Sequence, residues 1–304
     1  VYRVGVLRFS PRPPTSSIHV AFRQKLHELG YVEGQNLVLE YRSAKEKPER
    51  RAEMAAELVR LKVDVIVTMP SLTLIRAAQR ATRTIPIVMA GGNVDPVEAG
   101  FVVSLARPGG NITGLTNLAA KLHPKRLELL KEAFPRISRV AILWNPPQQK
   151  QAMKEVEAVG QALGIQIQSV VAATRYVTPL DELKRAFSAI SREAPDALLV
   201  ASMPLTIHNR ARVVEFAAKR RLPTIYARRP FVKEGGLMSY NADLQHLYRR
   251  AATYVDKILK GAKPGDLPVE QPTKFRLVIN LKTAKKIGVT IPPEMLFRAD
   301  KVIK

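Results

Sequence analysis

Residues Asp64 to Asn117 read DVIVTMPSLTLIRAAQRATRTIPIVMAGGNVDPVEAGFVVSLARPGGNITGLTN, and the fold is decided here. Two apolar runs, Val65 to Met69 and Ile85 to Ala90, are rich in Val and Ile and bounded by Pro or Gly. Such runs suit strands buried on both faces, as parallel strands are. Between them, Leu72 to Thr82 carries Leu72, Ile75, Ala78 and Gln79 at helical spacing. A strand, a helix and a strand within about thirty residues make a βαβ unit. Each strand runs into a small polar or glycine-rich loop, first Pro70-Ser71 and then Gly91-Gly92-Asn93-Val94-Asp95-Pro96. Ligands of open α/β sheets sit beyond the carboxyl ends of the strands, so these loops are the first candidates for function.

Working outward, Arg3 to Phe9 reads as the opening strand and Ile18 to Leu29 as a helix closed by Gly30. Asn36 to Arg42 alternates as a strand, and Pro48 suits the first turn of a helix running to about Leu61. Val97 to Leu105 reads as a short helix and Asn111 to Asn117 as a strand. The pattern then restarts. Strands are expected at Arg139 to Trp144, Ile165 to Ala172, Asp196 to Ala201 and Leu222 to Tyr226. Helices are expected at Lys125 to Phe134, Lys150 to Leu163, from Thr178-Pro179 onward, and from about Thr206 to Arg220. The tail adds a glycine-led strand through Tyr240, a long helix from Asp243 to Leu259, a strand at Phe275 to Asn280, a short helix and a basic end. Alternation in both halves predicts an α/β protein of two doubly wound, mostly parallel-sheet lobes.

Composition narrows the function. A chain of 304 residues, 46% hydrophobic and 25% charged, is ordinary globular material. Its apolar runs fall far short of the roughly twenty residues that span a bilayer. The absence of cysteine excludes disulfides and thiolate chemistry. The first strand begins almost at Val1, as expected of a mature or trimmed chain. No nucleophile elbow or phosphate-binding loop is present. The five histidines, His19, His27, His123, His208 and His246, lack metal-ligand spacing. Gly91-Gly92 and Gly109-Gly110 lack the dinucleotide-binding frame. Neither cofactor, metal nor catalysis is expected. The net charge of +23 is the unusual number. It admits an anionic partner or a solvated basic surface. Basic residues spread along the whole chain, with few aromatics among them, favour the latter and argue against a nucleic-acid partner.

Several segments resemble signatures of one bacterial family: Leu29-Gly30-Tyr31-Val32-Glu33-Gly34-Gln35-Asn36, Leu105-Ala106-Arg107-Pro108-Gly109-Gly110-Asn111-Ile112-Thr113-Gly114, Gly235-Gly236-Leu237-Met238-Ser239-Tyr240 and Val278-Ile279-Asn280-Leu281-Lys282-Thr283-Ala284. The family is that of ABC-transporter substrate-binding proteins of the tryptophan/tyrosine and uncharacterised uptake type. The resemblance covers essentially the whole chain. It implies a type I periplasmic-binding fold, with two lobes joined by a three-segment hinge and closing on a small ligand. The crossings are expected near Asn117, Tyr240 and Gln271, giving one lobe of residues 1–116 with 241–270 and another of 117–240 with 271–304. It also implies a secretion leader, a periplasmic location and a membrane-embedded ABC permease as partner. A monomer is expected.

Candidate ligand-binding residues lie at the strand ends and crossings. Lobe one supplies Ser10, Ser71, Asn93 and Asp95, with Asn117 at the first crossing. Ser71 stands where a helix begins, and exposed N–H groups there attract a carboxylate; it can equally cap its own helix, and one residue can do both. Asp95 can meet a ligand ammonium or fold its own turn. Lobe two supplies Asn145, Thr174, Ser202 and Tyr226, with Tyr240 at a crossing. Asn145-Pro146 also suits a plain turn. Tyr226 and Tyr240 can stack on a flat ligand or serve as core aromatics. Arg8, Arg228 and Arg229 can grip a carboxylate or lie solvated; Arg229 matches a position that is often Arg in the family. The expected function is extracytoplasmic capture of an amino acid or aromatic acid for an ABC importer. The alternative is the ligand-sensing domain of a regulatory or signalling protein.

Overall fold

The computed structural model describes residues 1–8, 17–43, 50–69, 71–92, 95–117, 119–172 and 179–304. The chain forms two compact units, Val1–Leu118 with Ala242–Lys274, and Ala119–Asn241 with Phe275–Lys304.

Unit 1 contains β1 (Tyr2–Arg8), α1 (Ser17–Glu28), β2 (Leu37–Ser43), α2 (Arg50–Arg60), β3 (Val65–Thr68), α3 (Leu72–Ala81), β4 (Ile87–Gly92) and β5 (Ile112–Thr116). The strands form one sheet, ordered β2-β1-β3-β4-β5, with every neighbour parallel. Alternate strand residues point to opposite faces. Gly5 lies against Leu58 of α2. Its register partner is Ile66, so Met69, three residues on, faces the other side. There the Tyr248 hydroxyl donates to Met69 Sδ at 3.0 Å. Helices therefore cover both faces, and β3 is buried along its length, which is why its sequence shows a continuous apolar run rather than alternation.

Unit 2 contains α4 (His123–Ala133), β6 (Arg139–Trp144), α5 (Pro146–Ala162), β7 (Gln166–Val171), α6 (Pro179–Glu193), β8 (Ala197–Val200), α7 (Pro204–His208), α8 (Arg210–Lys219), β9 (Thr224–Tyr226), α9 (Arg229–Lys233) and β10 (Met238–Ala242). The chain then returns to unit 1 for α10 (Leu244–Leu259) and re-enters unit 2 for β11 (Phe275–Asn280), α11 (Leu281–Ile287), α12 (Pro293–Arg298) and β12 (Lys301–Ile303). The second sheet runs β12-β11-β10-β9-β8-β6-β7. Its pairs are parallel from β7 to β10 and between β11 and β12. At the β10–β11 join, Asp243 N–H donates to Lys274 O and Asn280 N–H to Leu237 O, each at 2.8 Å. Paired residues that move apart in number in this way mark antiparallel strands. The cause is topological: β10 carries the chain out of unit 2 and β11 carries it back.

The core of unit 2 lies on both sheet faces. Ile142, Leu199 and Ile279 pack with Leu127 and Met153 on one side. Ala141, Leu143 and Val200 pack with Val213, Tyr226 and Phe231 on the other.

Two expectations are corrected. Val97 to Leu105 is a turn, not a helix. Ala99 N–H donates to Asp95 O and Phe101 N–H to Pro96 O, and Phe101 and Val102 then bury themselves, which turns the chain inward after a single turn. The helix expected from Thr206 to Arg220 is two, α7 and α8, broken at Asn209, whose side chain donates to Leu205 O at 2.9 Å. The basic end is structured: β12 pairs with β11, and Asp300 accepts from Leu277 N–H at 2.7 Å. A three-residue strand is too short to show a period.

Candidate functional site

The carboxyl ends of the unit 1 strands converge on a line of register partners, Leu7, Thr68, Met89 and Gly114. Thr116 lies two residues past that line. Thr68 and Thr116 are buried, and neither hydroxyl makes a hydrogen bond. Buried polar atoms without partners are rare and call for an explanation. Ser71 follows β3 and caps α3, its backbone extended at φ −160° and ψ 121°. Its Oγ accepts from Leu74 N–H at 3.4 Å and lies 3.0 Å from Thr73 Oγ1. The helix start therefore presents a hydroxyl and its remaining N–H groups together. Asp95 folds its turn, with Oδ1 accepting from Val97 N–H at 3.0 Å and Glu98 N–H at 3.4 Å. Asn117, directly after β5, is buried. Ser10, Asn93 and Thr174 lie outside the described residues.

Arg8 ends β1 and is buried. Its guanidinium carbon stands 4.8 Å from the Tyr41 ring centroid. Burial lowers its pKa, with Tyr41 opposing that shift. Burial and the charge of Arg8 push the His19 pKa down to about 4; the imidazole meets the Tyr248 ring edge-on at 6.0 Å. A histidine kept neutral in the folded chain takes up its proton first on unfolding. The folded chain then binds fewer protons, so stability falls as the pH drops from about 6.5 toward 4. Allowing for the partial exposure of His19, the loss is about 1–2 kcal/mol. His19→Gln is expected to flatten this part of the profile, checked by thermal melts from pH 7.5 to 4.

Unit 2 builds a second row. Leu143, Val200, Tyr226 and Ser239 are register partners across four strands. Two residues onward from each stand Asn145, Ser202, Arg228 and Asn241. Asn145 and Arg228 keep extended backbone, at φ −126° and −144°. The row thus places two amides, a hydroxyl and a guanidinium along one sheet edge. Arg229 opens α9, one residue past the row.

Tyr226 is a correction. Its ring is 1% exposed, stacked on Phe231 at 4.9 Å, and belongs to the core. Burial raises its pKa. Gly236 makes room for it, since a Cβ there would sit 2.5 Å from Tyr226 Cε2 and 2.8 Å from Phe231 O. A ring enclosed in this way offers no face to a ligand. Tyr240 is half-buried and stacked on Phe275 at 5.8 Å.

Arg126 was not anticipated. It is completely buried on α4. Nε donates to Tyr240 O at 2.8 Å, and Nη1 to Ala119 O at 2.8 Å and His123 Nδ1 at 3.0 Å. Nη2 makes a longer contact of 3.5 Å to Asn241 Oδ1. Because arginine only donates, the neutral His123 ring carries its proton on Nε2, which makes no hydrogen bond. Burial and the Arg126 charge hold the His123 pKa well below the usual range, and burial lowers that of Arg126 to about 9. Arg126 thus ties the residues just after one chain crossing to those just before another.

Among the described residues, no group of His, Asp and Glu could hold a metal ion, and no helix is long and apolar enough to cross a membrane. The arrangement is one of hydrogen-bonding and charged groups at strand ends, suited to holding a small polar molecule.

The sequence model of the ABC transporter substrate binding protein family matches residues 3–303. The chain belongs to this family. A curated relative is the tyrosine-binding protein of Clostridioides difficile (strain R20291), 26% identical over 294 residues, covering 94% of this chain and 81% of that one. Among solved structures, the conserved domain protein from Vibrio cholerae O1 biovar eltor is 28% identical, with a TM-score of 0.86 over 99% of both chains. An ABC domain from Streptococcus pneumonia, in complex with L-Trp, is 26% identical, with a TM-score of 0.85 over 99% of both chains. The two α/β units are those of the type I periplasmic-binding fold, and the role of the family is solute binding.

Proposed function

We propose that this protein is the periplasmic receptor of an ABC importer, delivering a small carboxylate-bearing solute, an amino acid or aromatic acid, to a membrane-embedded permease. The observation that carries the chemistry is the pair of buried, unbonded hydroxyls of Thr68 and Thr116 at the carboxyl edge of the first sheet. A site built to bond a ligand keeps such groups unpaired until the ligand arrives. The Ser71 helix start lies at the end of the same βα connection and favours a carboxylate. Asp95 is the acid assigned to an ammonium. The row of Asn145, Ser202, Arg228 and Asn241, with Arg229 and Tyr240 beside it, gives the second unit its own set of contacts, and Asn117 adds an amide to the first. The tyrosine named for one relative and the L-Trp bound to another support the substrate class.

The test is a thermal-shift screen over amino acids and aromatic acids, followed by calorimetry on the hits. A ligand that binds only the folded chain raises the melting point. If no member of either class does so, the substrate class is wrong. With a ligand in hand, Ser71→Ala, Asp95→Ala and Thr116→Val are each expected to weaken binding about tenfold, the loss of one buried hydrogen bond. Unchanged affinity in all three would remove the placement. Thr116→Val carries a second expectation. It deletes an unsatisfied buried hydroxyl at constant shape, so the ligand-free protein gains about 1 kcal/mol of stability, read from urea unfolding.

A further inference from the structure

Unit 2 carries a basic face that ligand capture does not use. Helix α8 packs on both α9 and α11, and Thr283 Oγ1 of α11 donates to Gly235 O, just after α9, at 2.7 Å. Each helix turns its charges outward. On α8, Arg212, Glu215 and Lys219 are exposed while Val213, Val214 and Ala217 are buried. On α11, Lys282, Lys285 and Lys286 are exposed while Thr283, Ala284 and Ile287 are buried. Arg220 and Arg221 follow α8, and Lys233 closes α9. Leaving aside Arg229 of α9, which stands beside the ligand row, these helices and the residues just after them hold nine cations, Arg210 among them, against two carboxylates, Glu215 and Glu234, a net charge of +7. Both carboxylates are already held, Glu215 by Lys219 at 2.7 Å and Glu234 by Arg210 at 2.9 Å. The remaining seven cations form no ion pair among the described residues. Arg212 and Lys286 both act on Glu215, which places the charges of α8 and α11 in one field.

The chemistry of the face selects its partner. A protein interface needs a desolvated core with aromatic or aliphatic anchors. None of the exposed large hydrophobic residues among those described lies on these helices. Single-stranded nucleic acid is held by aromatic platforms for the bases, and the only ring on them with any exposure, Phe216, is stacked on Phe187. What remains is a dense, lysine-rich, strongly hydrated positive surface. That suits a diffuse array of anionic headgroups, where lysine acts as a point charge. We propose that the α8–α9–α11 face docks the protein onto an anionic lipid bilayer.

The test is co-sedimentation of the full chain with vesicles of phosphatidylcholine alone or enriched in phosphatidylglycerol. Binding to the anionic vesicles only, weakening as salt is raised, is expected. At about fivefold per lysine, Lys282→Ser/Lys285→Ser/Lys286→Ser is expected to weaken it about 100-fold. The charge-matched control Arg80→Ser/Arg83→Ser/Arg107→Ser, in unit 1, is expected to weaken it less than about threefold. All six side chains are exposed, so both variants should melt with the parent. Equal losses in the two triple variants would assign binding to net charge alone and overturn the proposal. So would failure of the parent to bind, or tighter binding to polyuridylate than to vesicles at the same salt.

Discussion

Gly114→Ala is expected to destabilise unit 1 severely and to lower its melting point sharply. Gly114 sits in β5 opposite Met89 of β4, at φ +124°. A Cβ there would lie 2.4 Å from Met89 O and 2.5 Å from Met89 N. The obstacle is backbone, and the intruding atom is the first of the side chain, so no rotamer relieves the overlap. The φ value adds strain for any L side chain. Relief requires β5 to part from β4, with loss of its ladder and of the buried Ile112 and Leu115. The cost exceeds about 4 kcal/mol, among the largest single-residue effects, against a typical stability of about 5–15 kcal/mol. Gly110→Ala is the control, since a Cβ there meets nothing within 4 Å. It should stay within about 1 kcal/mol of the parent. Circular-dichroism melts of both decide the matter; a Gly114→Ala protein melting beside the parent would show that the strands are not this close.

Arg126→Met is expected to cost about 3–5 kcal/mol. The substitution keeps apolar volume but removes the donors to Ala119 O, Tyr240 O and Asn241 Oδ1. Each acceptor left buried and unbonded costs about 1–3 kcal/mol. Relief of the buried charge offsets part of this, which keeps the total below the sum. Arg126→Lys should recover only part, because an ammonium cannot reproduce the planar fork. The measurement is urea unfolding, paired with hydrogen exchange at residues 239–242. Faster exchange there than in β6 is expected, since the lost bonds hold the crossing segments; uniform loss of protection would reduce Arg126 to a packing residue.

The βαβ alternation was legible because parallel strands buried on both faces must be written as unbroken apolar runs, as Val65 to Thr68 is. Strand-end residues were legible where the run stops at the sheet edge, which places Asn145 and Ser202 in the second row. Tyr226 misled because the last residue of β9 still turns its ring into the core, and only Gly236, ten positions on, shows that the ring is enclosed. Thr68 and Thr116 read as ordinary β-branched strand formers, and a hydroxyl's lack of a partner is visible only in three dimensions. Arg126 lies on the buried stripe with Leu129 and Leu130, a signal that was present. Its partners at Tyr240 and Asn241 are more than a hundred residues away.

The antiparallel β10–β11 join has a consequence for biosynthesis. Neither unit is continuous in sequence, so neither is complete when its first half leaves the ribosome. The opening five strands must wait for α10, whose Tyr248, Ala251, Ala252 and Val255 are buried in the finished unit. At translation rates of about 5–20 residues per second that wait is on the order of ten seconds. Throughout it the nascent chain exposes a greasy sheet face, a natural substrate for a holding chaperone and the moment of greatest risk of aggregation.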